Sequence, residues 1–138
     1  MRKFDIWLLI STFSLISFIA GCGGGSDSVT APSSIAGKEY RMTITSGAGF
    51  FATTGAYTLS ISATQNIYTV TGDSVNFVDS SGTYTYSANG NLGVVSFVDS
   101  FLANGSFAMT FTSTTGGTFS ATVVSDPASI QSGSFIQL

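Results

Sequence analysis

The stretch Tyr40-Arg41-Met42-Thr43-Ile44-Thr45 alternates an apolar or aromatic side chain with a polar one. Side chains along a β-strand point in turn to its two faces, so this stretch predicts a strand with one apolar face and one solvated face. The same alternation returns in Tyr57-Thr58-Leu59-Ser60-Ile61-Ser62. From residue 37 onward we find no helical periodicity, and the composition is typical of strands and turns.

Further short runs rich in Thr, Val, Tyr, Phe and Ile follow these two strands, and turn signals separate them. Connections this short join antiparallel neighbours, because a parallel crossover needs about a dozen residues or more. We therefore predict an all-β domain: an antiparallel meander of 8-9 short strands closing into a small barrel, with a two-layer β-sandwich as the alternative. The further runs are 67–71, 75–79, 83–87, 92–99, 106–112, 118–124 and 134–138; the turn signals are Asn66, Gly72-Asp73, Ser81-Gly82, Asn89-Gly90-Asn91, Asn104-Gly105 and Gly116-Gly117.

Several predicted strands start with a glycine, any residue and then an aromatic ring. The ring is expected to point inward and to fill the end of the core. A meander of this length with such strand starts resembles the lipocalin-like, or calycin-like, small barrels over residues 36–138, and the resemblance implies that loop 46–55 covers a ligand mouth. The five occurrences are Gly55-Ala56-Tyr57, Gly82-Thr83-Tyr84, Gly105-Ser106-Phe107, Gly117-Thr118-Phe119 and Gly133-Ser134-Phe135.

The N-terminus has the parts of a processing segment. Two basic residues precede an uncharged apolar stretch over 6–20, which ends in Ile19-Ala20-Gly21-Cys22 and is followed by a glycine-rich stretch over 23–28. This order of parts is typical of a signal peptide, and the apolar stretch is too short for a membrane span. It resembles the lipobox of bacterial lipoprotein precursors, which implies cleavage before Cys22 and lipidation of its sulfur. An ordinary secretory signal that leaves a free thiol is the alternative.

The predicted organisation follows from these two resemblances. Residues 1–21 form the lipoprotein signal peptide, 22–35 a lipid-anchored Gly/Ser-rich tether, and 36–138 the barrel domain. The protein is expected in the cell envelope, held to the membrane through its N-terminal lipid anchor. In a Gram-negative cell, the absence of Asp directly after Cys22 favours the outer membrane over the inner one.

Charge and composition disfavour several kinds of function. Residues 22–138 contain six acidic and two basic side chains, so nucleic acid is not an expected partner. The chain has no histidine, which removes the commonest general base and metal ligand. Three aspartates are the alternative candidates for chemistry, as paired catalytic carboxylates or as calcium ligands: Asp73, Asp79 and Asp99. Each lies at a predicted strand end, however, where Asp ordinarily caps a turn. We expect neither catalysis nor a cofactor.

The candidate ligand-binding residues are aromatic. Phe50 and Phe51 are adjacent in loop 46–55, where they either contact an apolar ligand or plug the barrel end. Tyr57, Tyr84 and Tyr86 are predicted to point inward, and a buried tyrosine needs a partner for its hydroxyl. They therefore mark either a pocket with polar groups or ordinary core. Phe107, Met109 and Phe111 are predicted to point inward too, whereas Tyr68 fits either face.

Together these observations predict a non-catalytic β-barrel that binds or interacts, with a small apolar ligand as the expected partner. The alternative is a structural or adhesive surface domain that contacts matrix, glycans, another protein or neighbouring copies.

Overall fold

A computed structural model describes residues 28–74 and 77–138 of the chain. The predicted signal peptide, Cys22 and residues 22–27 of the predicted tether lie outside the described residues. Within the described ranges, no helix is long and apolar enough to cross a membrane.

The described residues form eight β-strands and no helix. Each strand pairs antiparallel with the next one along the chain, and the first strand also pairs with the last, so the sheet closes into a barrel. The predicted closed meander is thereby confirmed, and the sandwich alternative is not formed. The strands are β1 (Glu39–Gly47), β2 (Gly55–Ile61), β3 (Ile67–Gly72), β4 (Ser80–Asn89), β5 (Leu92–Asp99), β6 (Ala103–Ser113), β7 (Gly116–Val123) and β8 (Ile130–Gln137).

The alternation of side chains decides which residues enter the barrel. In β1, Tyr40, Met42 and Ile44 are buried, whereas Thr43 and Thr45 are exposed. The same pattern on β6 buries its ring-bearing face, with Phe107, Met109 and Phe111 inside as predicted. Burial of this continuous apolar face, at about 25 cal/mol per Å² of apolar surface, is the main force that closes the sheet.

One predicted strand is wrong, and so is the turn predicted at Ser81-Gly82. Residues 77–79 of the predicted run 75–79 form no strand, and β4 begins at Ser80, so that Ser81-Gly82 lies inside a strand. Gly82 pairs with Tyr68 on one side and with Asp99 on the other. A Cβ at Gly82 would collide with the carbonyl oxygen of Val98 and crowd the Tyr68 hydroxyl. The glycine therefore provides close packing within the sheet and not a turn.

The final strand and the asparagine-glycine pair at 104–105 also differ from the prediction. β8 starts at Ile130, four residues before the predicted run, and Asn104-Gly105 lies in β6. The ring of Phe97 covers Gly105, where a Cβ would overlap it. Here too a glycine makes room for a ring.

The segment before β1 closes one end of the barrel. Ile35 is fully buried, the Ala31 N–H donates to the Gly90 carbonyl at 2.8 Å, and the Tyr86 hydroxyl donates to the Pro32 carbonyl at 2.8 Å. The folded part of the chain therefore begins before the boundary predicted at residue 36. We call this the closed end. Because the strands alternate in direction, loops 48–54, 73–79, 100–102 and 124–129 all lie at the opposite end, which we call the open end.

Candidate functional site

A cavity of about 280 Å³ lies at the open end, inside the barrel mouth. Its wall comes from β2, β3, β4, β5, β6 and β8 and from the loops around the mouth. Eight of its lining side chains are aromatic: Phe50, Phe51, Tyr57, Tyr68, Phe77, Phe97, Phe101 and Phe107. The volume is just below the range of about 300–1,000 Å³ that small-molecule sites occupy.

A belt of five aromatic rings runs along the inner wall of the barrel, and all of them except Phe119 line the cavity. The ring centroids lie 6.4 Å apart for Tyr57 and Phe119, 6.2 Å for Phe119 and Phe107, 5.1 Å for Phe107 and Phe97, and 6.1 Å for Phe97 and Tyr68. Such edge and tilted contacts add to the stabilisation that burial provides. Buried side chains fill the interior towards the closed end, so the barrel is hollow at its open end and packed elsewhere.

Exposed apolar side chains frame the mouth. Phe50, Val78 and Phe101 are 63%, 56% and 59% exposed, and each comes from a different loop. All three line the cavity. Apolar groups that converge around an opening are typical of a surface that is covered by a partner or a ligand.

Hydrogen bonds hold the loop between β1 and β2 in place. The Phe50 N–H donates to the Ser129 hydroxyl at 2.9 Å, and that hydroxyl donates to the Asp126 carboxylate at 2.6 Å. The Gln131 amide donates to the Ala52 carbonyl at 3.3 Å. Ser129 and Gln131 are both buried. These bonds tie loop 48–54 to the loop and strand that follow β7, and Phe51 is thereby buried against the core.

The loop between β3 and β4 contributes Phe77. Its ring lies over Gly72, where a Cβ would overlap it, and its centroid is 5.2 Å from that of Tyr57. The Asp79 carboxylate accepts the Gly72 N–H at 2.9 Å. The side of the cavity next to β2 therefore consists of the paired rings of Tyr57 and Phe77. Gly72 leaves room for the Phe77 ring, and Asp79 fixes the backbone at Gly72.

Two hydrogen-bonded pairs of polar side chains stand out in the largely apolar wall. The Tyr57 hydroxyl donates to Gln131 Oε1 at 3.3 Å. The Tyr68 hydroxyl donates to Asp99 Oδ2 at 2.5 Å, while Asp99 Oδ1 accepts the N–H groups of Phe101 and Leu102 at 2.7 and 3.0 Å. Asp99 is 7% exposed.

These environments shift the acidities of the groups concerned. Burial raises the pKa of the Tyr57 hydroxyl, and burial together with the Asp99 carboxylate raises the pKa of Tyr68. Burial alone would raise the pKa of Asp99, but hydrogen bonds from Tyr68, Leu102, Phe101 and Ser80 outweigh it and hold that pKa below its usual value. Asp99 is therefore ionised at neutral pH.

The structure brings three of the five predicted binding residues to the cavity. Phe50, Phe51 and Tyr57 line it. Tyr84 and Tyr86 instead line a groove at the closed end, beside residues 33–36. The Tyr40 hydroxyl, also at that end, is buried without a hydrogen-bond partner in the described part of the chain. The predicted lipidation residue Cys22 lies outside the described residues.

The sequence predicted Asp99 as a turn cap, with paired carboxylates or calcium ligands as the alternative, and not as part of a ligand site. It gave no prediction for Gln131 and left Tyr68 undecided. A signal for Asp99 was present: Val95, Phe97 and Asp99 share one strand face, so the alternation that buries the first two also buries the third. Gln131 lies between the predicted runs 118–124 and 134–138, where the sequence shows no alternation.

The other acidic residues do not join this site. Arg41 and Asp73 form an ion pair with both side chains partly exposed, and Asp79 is exposed in its loop. Among residues 28–74 and 77–138, no three His, Cys, Asp or Glu side chains lie close enough together to hold a metal ion.

Comparison with known proteins gives no relative for this fold and site. The chain matches no protein-family model, no curated protein and no solved structure at a significant level.

Proposed function

We propose that this protein is a lipid-anchored cell-envelope protein whose lipocalin-like barrel binds a small, mainly apolar ligand. The observation that carries the proposal is the 280 Å³ aromatic-lined cavity at the open end. Small barrels usually fill their interiors with side chains, as this one does towards its closed end. A mouth left unfilled and lined by rings is the form that a ligand site takes.

The rim supports the same proposal. Exposing Phe50 and Phe101 to water costs free energy in proportion to their apolar area. A ligand bound in the mouth covers part of that apolar area and recovers the corresponding part of the free energy. The fixed loop 48–54 also means that the site is largely formed before the ligand arrives, which reduces the entropy lost on binding.

The path of the chain fits an anchored carrier. Residues 29–36 reach the barrel at its closed end, opposite the cavity mouth. A lipid on Cys22, joined through the glycine-rich stretch that follows it, would hold the closed end towards the membrane and leave the mouth accessible. Two acyl chains at about 0.8 kcal/mol per buried methylene make a stable anchor.

An adhesive or structural surface role is the alternative. Exposed threonine and serine side chains on the outer face, such as Thr43, Ser96 and Ser120, are the feature that favours it. Because the barrel is closed, it has no free strand edge to pair with neighbouring copies. Such a role would have to use side chains alone.

The experiment compares a variant that blocks the cavity with a matched control. Full-length protein is reconstituted in phosphatidylcholine nanodiscs, with empty nanodiscs as the blank, and titrated with the fluorescent probe N-phenyl-1-naphthylamine. Ala52→Trp places a large ring in the cavity wall, and Ala128→Trp places the same ring on an exposed loop at the same end.

We expect saturable probe binding that Ala52→Trp weakens by about tenfold or more and that Ala128→Trp leaves unchanged within about twofold. Native mass spectrometry of the extracted protein is expected to find a bound small molecule. Absence of saturable binding to the unchanged protein, or equal binding by both variants, would refute the carrier and leave the surface role.

A further inference from the structure

The cavity wall contains one ionised group. Asp99 ends β5, is 7% exposed, and lines the cavity together with Tyr68, which donates to its Oδ2. Its Oδ1 accepts two backbone N–H groups from the turn into β6. These donors are all uncharged, so they stabilise the carboxylate without neutralising it.

No cationic side chain of the described residues reaches this carboxylate. Arg41 is paired with Asp73 and is not among the residues that line the cavity. Lys38 precedes β1 and therefore lies at the closed end. A full negative charge thus lines an apolar space with no counter-ion from the described chain, and a cation that enters this space is attracted to it.

The rings around the carboxylate favour the same kind of partner. Tyr68 and Phe97 lie with their centroids 6.1 Å apart on the same wall, and the Tyr57–Phe77 pair stands at 5.2 Å. The faces of aromatic rings carry negative potential and attract cations within about 6 Å. An anionic head group would meet repulsion from Asp99 and would lack this attraction to the rings.

We propose that the ligand is an amphiphilic amine: an apolar body with one cationic head group that lies against Asp99. This inference rests on the proposed function and specifies its ligand class. The head group forms an ion pair with the carboxylate, and the body lies along the aromatic wall towards the mouth.

The volume sets the length of the enclosed part. The cavity has a volume of about 280 Å³, which equals about nine water molecules at roughly 30 Å³ for each water. An amine with about eight carbon atoms is enclosed on that basis. A longer chain extends through the mouth between Phe50 and Phe101, where exposed rings are available to cover it.

The test uses three probes of nearly equal size: octylamine, octanol and octanoate. Each is titrated calorimetrically at pH 7 into the full-length protein in phosphatidylcholine nanodiscs, with empty nanodiscs as the blank. We expect octylamine to bind about tenfold or more tightly than octanol, and octanoate to bind more weakly than octanol.

Two matched pairs of variants locate the preference. Asp99→Asn removes the charge, whereas Asp73→Asn alters another aspartate at the same end, which pairs with Arg41 and does not line the cavity. Ser80→Lys supplies an internal ammonium next to Asp99, and Ser81→Lys places the same group on the exposed face of the same strand. Near-ultraviolet circular dichroism checks that each variant is folded.

We expect the octylamine preference to disappear in Asp99→Asn and in Ser80→Lys and to persist in both controls. If Asp99→Asn does not fold, the Ser80→Lys and Ser81→Lys pair decides. Equal binding of octylamine and octanol, tighter binding of octanoate, or a preference that survives in Ser80→Lys would overturn the inference while leaving the carrier intact. Binding of none of the three probes would refute the carrier itself.

Discussion

The hydroxyl of Tyr68 on β3 reaches across β4 to the carboxylate of Asp99 on β5, with 2.5 Å between the two oxygen atoms. The contact crosses an entire strand because Gly82, which lies between the two residues in the sheet register, has no side chain. The same carboxylate holds the turn from β5 to β6 through Phe101 and Leu102. One pair of side chains therefore spans three strands, fixes a rim loop and supplies the charged group of the cavity wall.

Removal of the Tyr68 hydroxyl is expected to destabilise the barrel. Tyr68→Phe deletes a buried hydrogen bond to a charged group, which is worth about 1.5–3 kcal/mol, and leaves Asp99 with one partner fewer. Tyr86→Phe is the control, because it deletes a hydrogen bond to the neutral Pro32 carbonyl at a half-buried site and should cost about 0.5–1.5 kcal/mol. Urea unfolding measures both changes, and a Tyr68→Phe cost no larger than the control would contradict the role given to this contact.

Acid is expected to destabilise the barrel through Asp99. Its pKa is lowered in the folded state, so the charged form stabilises the fold at pH values above the unfolded pKa of about 3.9. That contribution is lost as the pH falls below about 4 and through the lower folded pKa. Thermal unfolding between pH 2 and 6 should show a smaller loss of stability in Asp99→Asn than in the unchanged protein. An Asp126→Asn control with Asp99 intact should keep the larger loss, and identical pH profiles for all three would count against the assignment.

Truncation of the inner rings of β6 tests which face of that strand is inside. Phe107 and Phe111 are 5% and 1% exposed, so replacement of either by alanine should cost about 3–5 kcal/mol of the free energy of unfolding. Phe101→Ala, at the exposed rim, should change that free energy by less than about 0.5 kcal/mol. Chemical denaturation distinguishes the two cases. A small cost at Phe111 would mean that the faces are assigned in reverse.

Replacement of Cys22 by serine tests the proposed anchor. Without the thiol there is no sulfur to carry the lipid, so the chain should remain unprocessed or leave the membrane fraction, and its mass should lack the acyl groups. Cell fractionation and intact-mass measurement read both effects, and Ser26→Ala in the following stretch is the matched control. Membrane association and mass that are unchanged in Cys22→Ser would remove the anchor from the proposal.

Much of the fold could be predicted from the alternation of apolar and polar side chains and from the positions of turn residues. The face of β1 that carries Tyr40, Met42 and Ile44 is buried as predicted, because a period of two leaves no other way to separate apolar from polar side chains. Glycines were less informative. Gly90 makes the turn that its sequence suggests, with a φ of 57°, whereas Gly82 and Gly105 lie in strands to make room for neighbouring groups.

The candidate site was only partly predictable for a related reason. Phe50, Phe51 and Tyr57 could be selected from composition and from the expected position of one loop. The meeting of Tyr68 with Asp99, which are 31 residues apart, depends on the register of three strands, and no local pattern specifies that register.

The sequence by itself determined that this chain forms an antiparallel β-meander with one apolar face, because side-chain alternation and short connections leave little else for a chain of this composition. It left a closed barrel and a two-layer sandwich open, and the structure shows the barrel. Only the tertiary structure decided where the interior stays hollow and which polar group faces the space. Those features depend on the stagger between neighbouring strands of the closed barrel and on which side chains meet across its interior. Both are long-range consequences of packing.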